Sequence, residues 1–211
     1  MGPVPDTKST GQGPRPRRSA AATREHLLTV AGQLFYRDGI RATGVDTVAA
    51  EADVAPTTLY RLFASKEDLV AAYVERCSGI YKVRLTEVSL PTVGTPRQRI
   101  LAVFDAFIEE ALSDKSRGCP FLLALAEFPD PDSAAHRKAV SHKAWLRAWF
   151  RGLVGELAAV ERVGDPDGLA DRLALVAEGI YGSAQALGPS GPARQGRACA
   201  ESLIDSALAG R

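Results

Sequence analysis

Thr57, Thr58, Tyr60 and Arg61 stand within five residues of one another and together offer three hydroxyls and a guanidinium. Hydroxyls exchange hydrogen bonds with phosphate oxygens and base edges, and an arginine fork grips a phosphate or a guanine edge with two bonds at once. Lys66 adds a point charge a few residues downstream. Such a set suits holding a polyanion rather than breaking a bond. No nucleophile motif or phosphate-cradling glycine loop is present, and His26, His136 and His142 lack the H-x-x-x-H or H-E-x-x-H spacing of a metal site. The expectation is no catalytic residue, no metal and no cofactor.

The segment that must position these residues is Val45 to Leu69, VDTVAAEADVAPTTLYRLFASKEDL. Thr43 and Asp46 have the spacing of a helix N-terminus, where side chains satisfy free backbone N–H groups. Val45, Val48 and Ala49 recur at helical spacing, so one face can be buried. Asp53 tolerates the left-handed backbone of a sharp turn, and Pro56 fits the first turn of a following helix. That second helix is short, with Leu59 and Phe63 as anchors, which leaves Thr57, Thr58, Tyr60 and Arg61 facing outward. The pattern describes a helix-turn-helix with its reading helix, although an ordinary helical hairpin uses the same periodicity.

Two flanking helices complete the frame. Leu27, Leu28, Val30, Ala31, Leu34 and Phe35 form a helical stripe from Thr23 to Asp38, stopped by Gly39. Ser65 and Asp68 repeat the capping spacing and open a helix towards Thr86. Lys66 lies in its first turn, against the dipole preference for acids there. A phosphate neighbour accounts for it; so does a solvated lysine beside Glu67 and Asp68.

Behind this unit the chain reads as five more helices. Pro91, Gly94 and Pro96 break it before a helix capped at Thr95 with Gln98, and CPFLLALAEF forms a short apolar one from Pro120 to Phe128. A long helix is predicted over Ser133–Val163, another from Pro166 to about Leu187, and a last one over Ala193–Ala209. No stretch alternates at period two, so the fold class is all-α, with about nine helices.

Composition limits what the chain can be. Of 211 residues, 45% are hydrophobic and 24% charged, an ordinary globular balance, and the net charge of +1 confines any affinity for nucleic acid to local patches. No apolar run is long enough to span a membrane. Cys77, Cys119 and Cys199 are far apart and form no C-x-x-C pair, which points to the reducing cytoplasm. Residues 1–22 are rich in Pro, Gly, Ser and Thr and are expected to be disordered. Lys8, Arg15, Arg17, Arg18 and Arg24 against Asp6 make this arm and its junction with the first helix basic enough to lie along phosphates, but a solubilising tail or cloning remnant has the same composition.

In order along the chain, LLTVAGQLFYRDG, TGVDTVAAEADV and TTLYRLF-x-SKEDL resemble the tetracycline-repressor (TetR) family of bacterial transcription regulators. The resemblance covers about 50 residues, Thr23 to Tyr73. Arg117–Phe121 and Ala126–Pro129 look like a segment found in one of its subgroups. The resemblance implies a helix-turn-helix domain over 23–69 and an effector-binding and dimerisation bundle over 70–211. It also implies a homodimer that grips a near-palindromic double-stranded operator, with reading helices about 34–36 Å apart. A small effector would release the DNA. By position, Thr43, Tyr60 and Lys66 match phosphate-contacting places, and Pro56, Thr57, Thr58 and Arg61 match places facing bases or backbone. Ala55 departs from the usual Ser or Thr cap of the reading helix, and Leu62 from a common polar aromatic.

In the bundle, Phe104, Phe107, Phe121, Leu122, Leu125, Phe128, Trp145, Trp149 and Tyr181 are either core or the wall of an effector cavity. Few charges fall within these stripes, which favours a lipophilic or aromatic ligand. Glu127 stands apart, as a ligand contact or a surface carboxylate. Cys119 invites a redox reading, but no second cysteine is near it in sequence. Gly179, Gly182, Ser183 and Ala186, with Ala198, Ser202 and Leu203, suit a four-helix dimer interface through the last two helices; an intrachain contact would use the same residues. The competing classes are an enzyme on a helical bundle with a vestigial reading unit, and a family member that activates or binds DNA constitutively.

Overall fold

The computed structural model describes residues 19–209. Nine α-helices follow one another among them: α1 (Ala20–Asp38), α2 (Val45–Glu51), α3 (Pro56–Leu62), α4 (Lys66–Val88), α5 (Pro96–Ala111), α6 (Pro120–Glu127), α7 (Ala134–Ala158), α8 (Pro166–Leu187) and α9 (Gly196–Ala209). No strand occurs among the described residues. The arm expected over 1–22 lies outside them up to residue 18. From Ser19 onward the chain already belongs to α1, because the Ser19 hydroxyl accepts the Ala22 N–H at 3.1 Å and starts the helix three residues before Thr23.

The reading unit closes around a small apolar centre. Leu27, Leu28, Ala31, Leu34 and Phe35 of α1 pack with Val48 and Ala49 of α2 and Leu59 of α3. Gly39 ends α1 at φ 99°, and Asp53 makes the α2–α3 turn at φ 53°, both left-handed positions. His26 secures that turn by a 2.9 Å hydrogen bond to the Ala52 carbonyl. The start of α2 differs from expectation. Gly44 is the capping residue and supplies no side chain, while the buried Thr43 hydroxyl donates back to the Gly39 carbonyl at 2.8 Å. Thr43 therefore stabilises the turn after α1 instead of capping α2.

α4 belongs to both units. Its first half packs on α1 through Leu69, Val70, Tyr73 and Val74, and its length packs on α5, α6 and α7. Behind it, α7 and α8 form the most extensive helix pair, with α5 and α9 laid against α8. Phe104, Phe121 and Phe150 are fully buried there, each stabilising the bundle by about 1.5–3 kcal/mol of transfer free energy. The caps fall where the sequence places them: Ser65, Thr95, Ser133 and Asp165 each accept a backbone N–H, and Thr95 with Gln98 completes the reciprocal box. Two boundaries shift. α7 stops at Ala158 rather than Val163, since Val160 is 67% exposed and finds no core to extend the helix over. α9 begins at Gly196, after a single-turn 3-10 stretch over Pro192–Gln195.

Candidate nucleic-acid interface and its link to the bundle

Burying Leu59 and Phe63 rotates α3 so that Pro56, Thr57, Tyr60 and Arg61 lie on its exposed side, with Thr58 half-buried at the margin. Tyr60 is 50% exposed, and the Arg61 guanidinium makes no ion pair among the described residues. A free fork and a free phenol on one short helix are what a groove-entering element needs. Ala55 caps α3 without a side-chain hydrogen bond, as its methyl dictates.

Thr43 and Lys66 are placed differently. Thr43 is buried, as described above, and Lys66 is half-buried, its Nζ donating to the Arg41 carbonyl at 3.0 Å. Burial pushes the Lys66 ammonium below the usual lysine range, against the pull of Glu127. Both residues thus shape the connection between α1 and α2, while four exposed residues on α3 form the outward face.

The most informative residue here lies in the Ala126–Pro129 segment, outside the reading unit. Glu127, at the end of α6, accepts the Ile40 N–H at 3.0 Å and the Arg41 N–H at 2.6 Å. Both carboxylate oxygens are thus engaged by backbone of the reading unit. At the other end of the same segment, the Tyr36 hydroxyl donates to the Gly118 carbonyl at 2.8 Å and accepts the Arg117 N–H at 2.7 Å. The Arg117 guanidinium donates to the Tyr36 and Arg37 carbonyls, capping the C-terminus of α1. Both ends of α6 therefore hold the end of α1 and the turn that follows it. An eight-residue helix spans about 12 Å, so α6 acts as a short stiff strut between bundle and reading unit.

Only part of the expected cavity wall assembles. Phe107, Phe121 and Tyr181 line an enclosed cavity together with Tyr81, Leu85 and Leu146, and the polar residues Cys119, His142, Lys143 and Glu178 complete it. Phe104 is packed against Phe150 in the core, Trp149 lies on a separate surface groove beside Arg99, and Phe128 sits near Lys66 at the reading unit. Leu125 and Trp145 are half-buried and do not reach the cavity. The expectation of few charges is corrected: Lys143 and Glu178 are present but spent on each other, at 2.6 and 2.7 Å. His142 stacks on Phe121 with centroids 3.5 Å apart and bonds Ser78 at 3.0 Å. Burial, reinforced by Lys143 and Lys82, pushes its pKa down to about 3, so it is neutral at physiological pH. A helical sequence places such residues on a buried face but does not say which faces meet, and nothing marked Tyr81 or His142 beforehand.

Cys119 does not have the environment of an activated thiol. It is 3% exposed, and burial raises its pKa despite Lys143 at 3.3 Å. The Cys77 thiol is likewise pushed up by burial, to about 11. Among the described residues no group of His, Cys, Asp and Glu could hold a metal ion, and no helix is long and apolar enough to cross a membrane.

Comparison with known proteins agrees with this geometry. The model of bacterial regulatory proteins of the tetR family matches residues 27–73, the span from α1 into α4. The HTH-type transcriptional regulator YjdC of Escherichia coli is 28% identical over 156 residues, which cover 74% of this chain and 80% of that protein. The solved structure of SCO4454, a TetR-family transcriptional regulator from Streptomyces coelicolor, superposes with a TM-score of 0.81 at 27% identity, over 88% of this chain and 96% of that one. A protein of Streptomyces avermitilis assigned as a TetR transcriptional regulator is 32% identical over 88% of this chain and 97% of its own, with a TM-score of 0.75. The chain belongs to the TetR family. As a TetR-family member it is a helix-turn-helix transcriptional regulator that binds operator DNA, and its relatives are regulators rather than enzymes.

Proposed function

We propose that this TetR-family regulator is a homodimeric repressor whose operator binding is released by a small lipophilic or aromatic effector held in the C-terminal bundle. The observation that carries the reading is the strut: α6 has cavity residues Cys119 and Phe121 at one end and the Glu127 carboxylate on the reading unit at the other. An occupied cavity displaces α6, and α6 has no freedom to move without dragging the end of α1. A ligand shifts the equilibrium only by binding one arrangement better than the other, and cavity occupancy supplies that difference.

In this reading residues 23–69 bind DNA and 70–211 bind effector and partner. Pro56, Thr57, Thr58 and Arg61 face bases or backbone, and Tyr60 and Lys66 lie nearest phosphates. Dimerisation uses α8 and α9. An added Cβ at Gly179 or Gly182 would meet nothing within 4 Å in the same chain, so this small-residue face is unused internally and open to a second copy. The basic arm adds sequence-independent grip on phosphates. Selection of bound fragments from genomic DNA, followed by release assays with metabolites, tests the proposal. Enrichment of a palindromic site that a compound displaces supports it; absence of any palindrome, or of any releasing compound, overturns it.

A further inference from the structure

Tyr181 is the one side chain among the described residues whose buried polar atom has no hydrogen-bond partner. Its ring, 4% exposed, packs edge-on against Phe107 with centroids 5.8 Å apart, and it lines the enclosed cavity. The Tyr181 hydroxyl stands beside that of Tyr81, which is committed to Glu110, so it keeps hydrogen-bonding capacity for whatever takes the place of Tyr81. The walls around it are flat: Phe121 stacks on His142, and Tyr81 stands edge-on to both, at 5.4 and 5.8 Å. The charged lining offers a ligand no free ion, because Lys143 and Glu178 neutralise each other.

The cavity has room for only about 10 Å³ of water-sized volume, roughly one water, so anything larger must move a wall. Tyr81 is the wall shared with an outer groove of about 420 Å³, which Gly32 and Tyr36 of α1 and Glu110 of α5 also line. On that side the Tyr81 hydroxyl is bonded to Glu110, which also takes Arg84 at 2.6 Å. Swinging Tyr81 away from Glu110 joins groove and cavity.

We infer that the effector is a flat aromatic compound, uncharged at neutral pH, that enters from this groove past Tyr81 and anchors a carbonyl or hydroxyl oxygen on the Tyr181 hydroxyl. The inference rests on the effector reading above and adds the seat, the entrance and the ligand class. A bound molecule of more than one ring extends back into the groove and touches α1 beside Tyr36, the residue held by Arg117 and Gly118. Occupancy and the hold on the reading unit thereby share a residue.

The test uses the full chain and four probes on one ring system: 2-acetonaphthone, 2-naphthol, naphthalene and 2-naphthoate. Affinities come from quenching of Trp145, whose ring lies 5.6 Å from His142. The two neutral oxygen-bearing probes should bind about ten-fold more tightly than naphthalene or the anion. Tyr181→Phe keeps the ring and removes only the oxygen, so it should erase the preference for 2-acetonaphthone and leave naphthalene binding unchanged. Tyr81→Phe should raise the association rate of 2-acetonaphthone several-fold by freeing the Glu110 latch. A preference for the carboxylate, no binding of any probe, or a preference that survives Tyr181→Phe overturns the inference. If a chemically different compound releases the operator equally from wild type and Tyr181→Phe, the seat is wrong and the effector reading stands. If nothing releases it, the effector reading itself falls.

Discussion

The Glu127 carboxylate accepts the backbone N–H groups of Ile40 and Arg41, 87 and 86 residues away in the chain, at 3.0 and 2.6 Å. Two consecutive amides held by one side chain tie the turn between α1 and α2 to the end of α6. Glu127→Gln leaves one acceptor oxygen and sets an NH2 against the second amide. We expect that change to cost about 1–3 kcal/mol of local stability. Operator affinity should fall about ten-fold while far-ultraviolet circular dichroism stays the same, as read by operator titration and thermal melting. Unchanged affinity would show that the turn holds itself without α6.

On α3, the exposed side chains should separate by what they lose. Tyr60→Phe removes a hydroxyl and no charge, so it should weaken binding to every sequence by a similar factor and leave the salt slope as it was. Arg61→Ala should relax the preference at one base position at a cost of about 1–3 kcal/mol. A binding-site selection with each variant distinguishes the two, and an identical base preference for Arg61→Ala would remove it from the specificity set.

His142 makes stability depend on pH. Its folded pKa of about 3 lies below the ordinary value of 6.5, so between these limits the unfolded chain binds a proton that the native one refuses. Stability therefore rises with pH across that window and is lost as pH falls through it, with a slope approaching about 1.4 kcal/mol per pH unit. His142→Phe keeps the stack on Phe121 and removes the titration. Urea midpoints measured from pH 7 to pH 4 should fall more steeply for wild type than for the variant; parallel curves would mean that His142 takes up its proton in the native state.

The open α8 face should be sensitive to charge. Gly182→Glu places a carboxylate where the chain itself has nothing within 4 Å, so the subunit should keep its fold. Across a two-fold interface the same substitution meets its own copy. Sedimentation should show a monomer, and operator affinity should drop about 100-fold or more with the loss of bivalent grip. A dimer of normal stability would place the interface elsewhere.

Much of this molecule can be read along the chain. Helix boundaries at Gly39, Ser65, Thr95 and Asp165 follow from caps and stops that act within four residues, and Asp53 announces its left-handed turn for the same local reason. The outward face of α3 follows from Leu59 and Phe63, because burying two anchors on a helix fixes where the rest must point. Thr43 misled because two local bonds compete for its hydroxyl, and the Gly39 carbonyl wins once α1 ends there.

What the sequence determined by itself is the set of helices, the reading helix and its exposed residues: properties governed by periodicity and by contacts between near neighbours. What only the tertiary structure decided is which helix faces meet. Glu127 on Ile40 and Arg41, Arg117 on the end of α1, and Tyr181 facing His142 and Tyr81 across one cavity join residues tens of positions apart. Amphipathic stripes record that a face is buried but not its partner, since apolar contact is non-directional and many pairings bury equal area. The connection between the cavity and the reading unit belongs to that second kind of information.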